Sequence, residues 1–333
     1  MQLVSRYTLG VIAALACAGC GGSQVGATAP ALVAPPAHIY RSSRTKRQFL
    51  YLDEYKLVSG TQKFQTEIVS YPDGKEVGTL ANYGQMCADS SGDAYIDNGS
   101  TVSEYAGGGE SPIAQVALPS GVYGLGCAVD PTTGNIAVGG ALAESSTLTG
   151  WLAVYPNLTE SPTIYTSAFM VNFGFCAYDD KGNLFLDGYY DYEARISELP
   201  KGQSQFRLFY NSPPELNDFG PLQWDGKHMT LEGGYFTSGH SRKRRRGSAI
   251  YRLSLSGSSL GIVGTTDLDT PNGPDRAQFT WIQDNTVVKP YGNTKENDRI
   301  GVWHYPQGGP RPYKVLKRFE YIEYPLISIT HSR

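Results

Sequence analysis

The chain has 333 residues, 40% of them hydrophobic and 18% charged, with a formal net charge of -3. That is the balance of a globular protein and not of a disordered one, and it argues against nucleic acid as a partner, because phosphate binding needs a basic surface. Tyr (23) and Gly (39) are abundant while Met stands at 4, which suits short twisted strands joined by tight turns.

The N-terminus has the pattern of an export signal: Arg6 supplies positive charge, Thr8 to Ala16 is mostly apolar, and Ala16-Cys17-Ala18-Gly19-Cys20 is a zone of small residues. The apolar stretch is too short for a membrane span. Ala18-Gly19-Cys20 resembles the last three positions of a bacterial lipobox, with Cys17 standing where Leu is usual. The resemblance implies a signal peptide over residues 1–19, acylation of Cys20, and, because Gly21 and not Asp follows, no inner-membrane retention signal. Residues 20–47 are rich in Gly, Ala and Pro and end in Arg41, Arg44, Lys46 and Arg47, a composition with little to bury that reads as a tether. The expected address is the bacterial envelope, at the outer membrane or cell surface, with the lipid as the membrane contact.

From residue 48 to residue 333 the chain carries only β signals. Six strand-like runs end in Tyr or Leu at a short turn: Tyr71-Pro72, Tyr105-Ala106, Tyr155-Pro156, Leu199-Pro200, Leu255-Ser256 and Tyr305-Pro306. Ahead of most of these lies a second hairpin, clearest in Cys87-Ala88-Asp89 with Ala94-Tyr95-Ile96, in Cys127-Ala128-Val129-Asp130 with Gly134-Asn135-Ile136, and in Cys176-Ala177-Tyr178-Asp179 with Gly182-Asn183-Leu184. Asp opens each turn by bonding nearby backbone, and Gly or Asn accepts the positive φ that closes it. Fainter copies stand at Trp224-Asp225-Gly226-Lys227 and at Asp284-Asn285.

Repetition every 35 to 55 residues or so, with β signals alone, predicts a propeller of four-stranded blades. Six turns of one kind stand against five of the other, and the termini supply the difference. Ile327-Ser328-Ile329-Thr330 lacks a partner and Phe49-Leu50-Tyr51-Leu52 lacks a preceding strand, so the prediction is an all-β, six-bladed β-propeller whose last blade is closed by strands from both ends of the chain. The Asp to Gly-Asn hairpin resembles the NHL repeat, and the whole is similar to streptogramin-lyase-like and gluconolactonase-like propellers; these resemblances imply a fold, and a fold does not fix a function.

No motif carries chemistry outright. Cys87, Cys127 and Cys176 are expected to be small buried hydrophobes and not a disulfide or metal site, since they fall on separate blades and Cys87 precedes its Asp by two residues where the others precede theirs by three. The Asp turns lack the ligand alternation of a calcium loop, so no cofactor is expected, and calcium or another divalent metal would need carboxylates from several blades that the sequence does not assign. His38, His228, His240, His304 and His331 are scattered. The run Arg242 to Arg246 reads as a solvated hairpin tip.

The leading expectation is a monomeric, non-catalytic module that binds an envelope protein or glycan; the alternative is a metal-dependent lactonase- or lyase-like enzyme with its site in the central channel. Loop length is expected to concentrate on one face, at 139–150, 187–194, 233–249, 265–276 and 290–299, and long loops on a rigid scaffold are where function gathers. That face carries the candidate ligand contacts Tyr189, Tyr190, Tyr192, Tyr235, Phe236, His240 and Arg244.

If Cys20 is acylated, intact mass of membrane-extracted protein will show a chain beginning at Cys20 with a lipid adduct. A soluble mature chain with a free Cys20 thiol excludes it.

Overall fold

The computed structural model describes residues 47–58, 61–142, 149–167, 169–190, 193–210, 213, 216, 220–233, 247–269, 279–293, 296–319 and 327–331. Among them, twenty-four strands form six four-stranded antiparallel sheets, the blades of a six-bladed β-propeller. Blade one contains β1 (Gln48–Val58), β2 (Thr61–Tyr71) and β3 (Glu76–Leu80). Blade two runs from β4 (Gln85–Ala88) through β5 (Ala94–Asp97) and β6 (Thr101–Tyr105) to β7 (Pro112–Ala117), and blade three from β8 (Val122–Val129) through β9 (Ile136–Leu142) and β10 (Gly150–Tyr155) to β11 (Thr163–Thr166). Blade four is β12 (Phe173–Tyr178), β13 (Leu184–Tyr190), β14 (Glu193–Leu199) and β15 (Arg207–Leu208). Blade five is β16 (Leu222–Trp224), β17 (Met229–Gly233), β18 (Gly247–Ser256) and β19 (Ser259–Asp269). Blade six is β20 (Trp281–Gln283), β21 (Thr286–Asn293), β22 (Glu296–His304) and β23 (Lys314–Phe319). The innermost strand of blade one is β24 (Ile327–His331), so its sheet has the order β24-β1-β2-β3.

The predicted closure is therefore present, with Phe49 opposite Thr330, Leu50 opposite Ile329 and Leu52 opposite Ile327. Alternation along β1 explains why this strand belongs inside a stack of sheets. Leu50 and Leu52 pack toward blade six with Val288, Ile300 and Val302, while Phe49 and Tyr51 pack toward blade two with Met86, Ala94 and Ile96. Both faces of each blade are covered, and the described core divides into six clusters, each spanning one pair of adjacent blades.

The first turn of a blade is built as its sequence predicts. Asp89 Oδ1 accepts the amides of Gly92 and Asp93, both at 2.8 Å, and Asp179 Oδ1 those of Lys181 at 2.9 Å and Asn183 at 2.8 Å. Blade six has no glycine here and turns on Asp284 itself, at φ 53°. The tyrosines that end third strands also have a reason. Tyr305 donates to Asp225 Oδ2 at 2.6 Å in the first turn of the preceding blade, and Tyr71 pairs with Thr286 Oγ1 at 3.0 Å, again one blade back.

Two expectations fail. Cys87 and Cys127 form a disulfide, with Cα atoms 5.6 Å apart, and the parity that argued against pairing is its cause. Because Cys87 lies two residues before its Asp and Cys127 three, their side chains leave opposite faces of their strands and meet in the single cluster between blades two and three. Cys176, in phase with Cys127, is a buried free thiol in the next cluster along, as expected of it. The loop assignment also needs correction, since 187–194 and 290–299 are mostly strand, with only 191–192 and 294–295 outside the described residues, and β19 runs on to Asp269. Meanwhile the turns between third and fourth strands reach from 106 to 111 and from 305 to 313, so the opposite face is less smooth than the sequence suggests.

Deleting residues 325–333 opens a sheet edge in the ring, whereas deleting 21–40 takes away none of the described strands. Melting curves should show a large loss for the first truncation and none for the second; equal melting temperatures overturn the closure.

Candidate functional site

Three features of the propeller bear on function: a ring of buried charge, a central cavity, and an exposed aromatic row. The ring is drawn from one position of the second strands, the fourth residue of β5, β9, β13, β17 and β21 and the sixth of β1. Superposing Leu50-Tyr51-Leu52-Asp53, Ala94-Tyr95-Ile96-Asp97, Leu184-Phe185-Leu186-Asp187, Met229-Thr230-Leu231-Glu232 and Thr286-Val287-Val288-Lys289 puts an ionisable residue at that place in five blades, with Gly139 in blade three. All five are buried. The acids reach toward the following blade, while Lys289 reaches back: Asp187 Oδ2 accepts the amide of Gly220 at 2.9 Å, Asp53 that of Gly84, and Glu232 pairs with Lys289 Nζ at 2.8 Å. Asp97 takes the amide of Gly99 at 2.9 Å and presses on Gly124 of blade three, where an added Cβ would lie 2.1 Å from Oδ2.

Burial dominates the acid–base behaviour of the three aspartates. Desolvation lifts Asp53 to about 8, against the bond from Gly84, and Asp97 to about 7, against the bond from Gly99. Asp187 is also raised well above the usual carboxylate range by burial, opposed by the amides of Phe175 and Gly220. Such groups are neutral or half-neutral near pH 7 and serve as acceptors between blades.

The innermost strands enclose a cavity of about 280 Å³. At the end where these strands begin, Phe175 of blade four and Phe279 of blade six meet edge to face at 5.4 Å. Phe279 also packs on the cluster between blades one and two, so the two rings span the channel there. At the other end the wall extends to Tyr178, Trp224 and Pro131, the last in the turn between β8 and β9, so the cavity opens on the face of the first turns. Among the described residues its wall holds no Asp, Glu, Lys, Arg or His, and no group of three His, Cys, Asp or Glu side chains among them is placed to hold a metal ion.

The opposite face, formed by the connections between blades and between second and third strands, carries the aromatic row. Tyr190, singled out from the sequence, sits at the end of β13 between Phe169 at 6.5 Å and Tyr210 at 6.2 Å, both edge to face. Phe169 and Tyr210 are each 49% exposed. Tyr83, stacked on Phe64 at 5.0 Å, and Tyr123 extend exposed aromatic surface over blades one to three. Tyr189 lies half-buried beside Tyr190, its amide directed to Asn172 Oδ1 at 3.3 Å. Tyr192, Tyr235, Phe236, His240, Arg244 and Cys20, the expected acylation site, lie outside the described residues. Sequence reasoning passed over Phe169, Tyr210, Tyr83 and Tyr123, although large rings in connections between blades are themselves a signal: loops seldom have a core in which to bury them.

No protein-family model matches the chain, and no curated protein matches it by sequence. Solved structures do resemble it in fold. A protein of unknown function from Bacteroides caccae superposes with a TM-score of 0.53 at 12% identity, over 85% of this chain and 99% of that one. TolB from Acinetobacter baumannii gives 0.52 at 12%, over 85% of this chain and 66% of its own length, and a provisionally assigned 6-phosphogluconolactonase from Bacteroides fragilis gives 0.51 at 11%, over 86% and 99%. At this identity the likeness is one of fold.

The raised carboxylates fix the sign of a pH effect. A folded pKa above the unfolded value gives stability that is complete below about pH 4 and is lost as pH rises through the folded pKa, here 7 to 8. Asp97→Asn removes one such group and keeps an acceptor for Gly99. It should melt about 5 °C above wild type at pH 8 and no higher at pH 4. Parallel melting-temperature curves against pH for the two proteins refute the assignment.

Proposed function

We propose that this chain is a non-catalytic binding module, carried on the bacterial envelope by a lipid at Cys20, which recognises an envelope protein or glycan through its aromatic face. The observation that carries the reading is the row of Phe169, Tyr190 and Tyr210: Tyr190 touches a ring on either side, and both outer members are half exposed on a rigid propeller. Flat rings with a hydroxyl handle supply contact area at low entropic cost, and such groups dominate binding energy at interfaces.

Two further facts support it. The Cys87–Cys127 disulfide is what an oxidising compartment outside the cytoplasm permits. The channel, where the alternative enzyme needs its metal and acid–base groups, has an uncharged described wall, and Asp53, Asp97 and Asp187 are engaged with main-chain amides. A phosphorylated sugar lactone finds no counter-charge among the described wall residues.

The double variant Phe169→Ala/Tyr210→Ala should weaken co-sedimentation with purified envelope glycan, or cross-linked recovery of a partner from solubilised envelopes, by tenfold or more, with little change in melting temperature. Ile113→Ala/Val263→Ala serves as control, its residues being 52% and 55% exposed on outer strands away from that face. Undiminished binding by the aromatic variant, or equal loss in both, overturns the reading.

A further inference from the structure

The central cavity is a second candidate site, on the face opposite the aromatic row, and we propose that it takes an uncharged, flat, ring-containing small molecule. Three properties of its wall lead there. The first is size: about 280 Å³ lies at the lower edge of the range of roughly 300–1,000 Å³ found for small-molecule pockets, so the occupant is a compact molecule and not a protein segment or a glycan chain.

The second is charge. The described wall is built from Gln85, Gln223, Thr280, apolar groups and aromatic rings, without a formal charge. Among the described wall residues the ionisable groups are Cys176 and Tyr178, and burial drives both away from their charged forms. An anion or cation entering this space loses its water and gains no partner of opposite sign from the described wall, which disfavours it. A neutral molecule does not incur that cost.

The third is shape and hydrogen bonding. Tyr178, Trp224 and Trp281 are half-buried and contribute ring surface at the open end, while Phe175 and Phe279 close the far end. Each innermost strand pairs with only one neighbour in its sheet, so its other edge has no strand partner. Free edges carry unpaired N–H and C=O groups, and these answer neutral donors and acceptors such as hydroxyls, amides and ring nitrogens. Gln223 takes up the edge groups of one innermost strand, bonding both main-chain groups of Ile282 in β20 at 2.6 and 2.7 Å and so tying blade five to blade six. Ring faces for stacking and main-chain edges for hydrogen bonds, with charge excluded, select neutral planar ligands.

The test uses two fluorescent probes that share a phenyl-naphthylamine skeleton and differ in one group: N-phenyl-1-naphthylamine, which is neutral, and 8-anilino-1-naphthalenesulfonate, which is anionic. The full chain should bind the neutral probe saturably at one per protein, with energy transfer from tryptophan, and the sulfonate at least tenfold more weakly. Trp224→Ala should weaken the neutral probe fivefold or more. Gln85→Arg, at a half-buried wall position, places a cation in the pocket and should invert the preference, so that the sulfonate binds the better; this gain keeps the proposal falsifiable if Trp224→Ala fails to fold. Phe169→Ala/Tyr210→Ala should bind both probes as wild type does, which separates this site from the aromatic face whatever becomes of the latter. Absence of saturable binding by the neutral probe, equal affinity for the two probes, or an unchanged preference in Gln85→Arg overturns the proposal.

Discussion

Everything in this molecule depends on the ladder between β1 and β24, which joins the two ends of the chain inside one sheet. Closing so long a loop costs chain entropy, about 5 kcal/mol from the length-dependent part alone, and the return is collective. With the ring closed, no blade is left with a bare face, and the six clusters between blades become a continuous annulus. With it open, blade one loses its inner strand, and Leu50 and Leu52 lose the backing that sets their register. Long-range pairing of this kind also implies slow assembly, because local hairpins must form and stack before the ladder can reward them.

Between the blades, apolar packing is supplemented by polar contacts that fix how one sheet sits on the next. The ionisable position of the second strands, the tyrosines ending third strands, and Gln223 at Ile282 all do this in the same direction or its reverse, one blade to its neighbour. Hydrophobic surfaces slide easily over each other. A carboxyl group against a particular main-chain amide does not, and burying it near neutrality avoids most of the cost of a buried charge. The disulfide between blades two and three belongs to the same class of contact, in covalent form.

Much of this architecture was legible because each blade repeats its turn chemistry. Asp89, Asp130 and Asp179 announce hairpins through bonds that are local in sequence, and a count of hairpins exposed the missing strand. What escaped the sequence depends on relations between blades. The Cys87–Cys127 bond needs the side from which each thiol leaves its strand, and one residue of offset decides that. Asp97 and Asp187 end apolar runs, where a polar residue reads as the start of a turn; their burial follows only once the next blade is laid against them. The aromatic face was half legible: Tyr190 was found as part of a supposed long loop that is largely strand, while Phe169 and Tyr210 lay in connections between blades that were not among the supposed long loops.

The position of β1 within its sheet has a mechanical consequence. It is the first strand of the propeller, the one through which any pull on the preceding residues enters the fold, and it has a hydrogen-bonded neighbour on each side. A strand at a sheet edge can be peeled off one rung at a time. To extract β1 along its axis, the rungs to β2 and to β24 must shear together, so the ladder that completes the ring also braces the strand by which the preceding residues enter the fold.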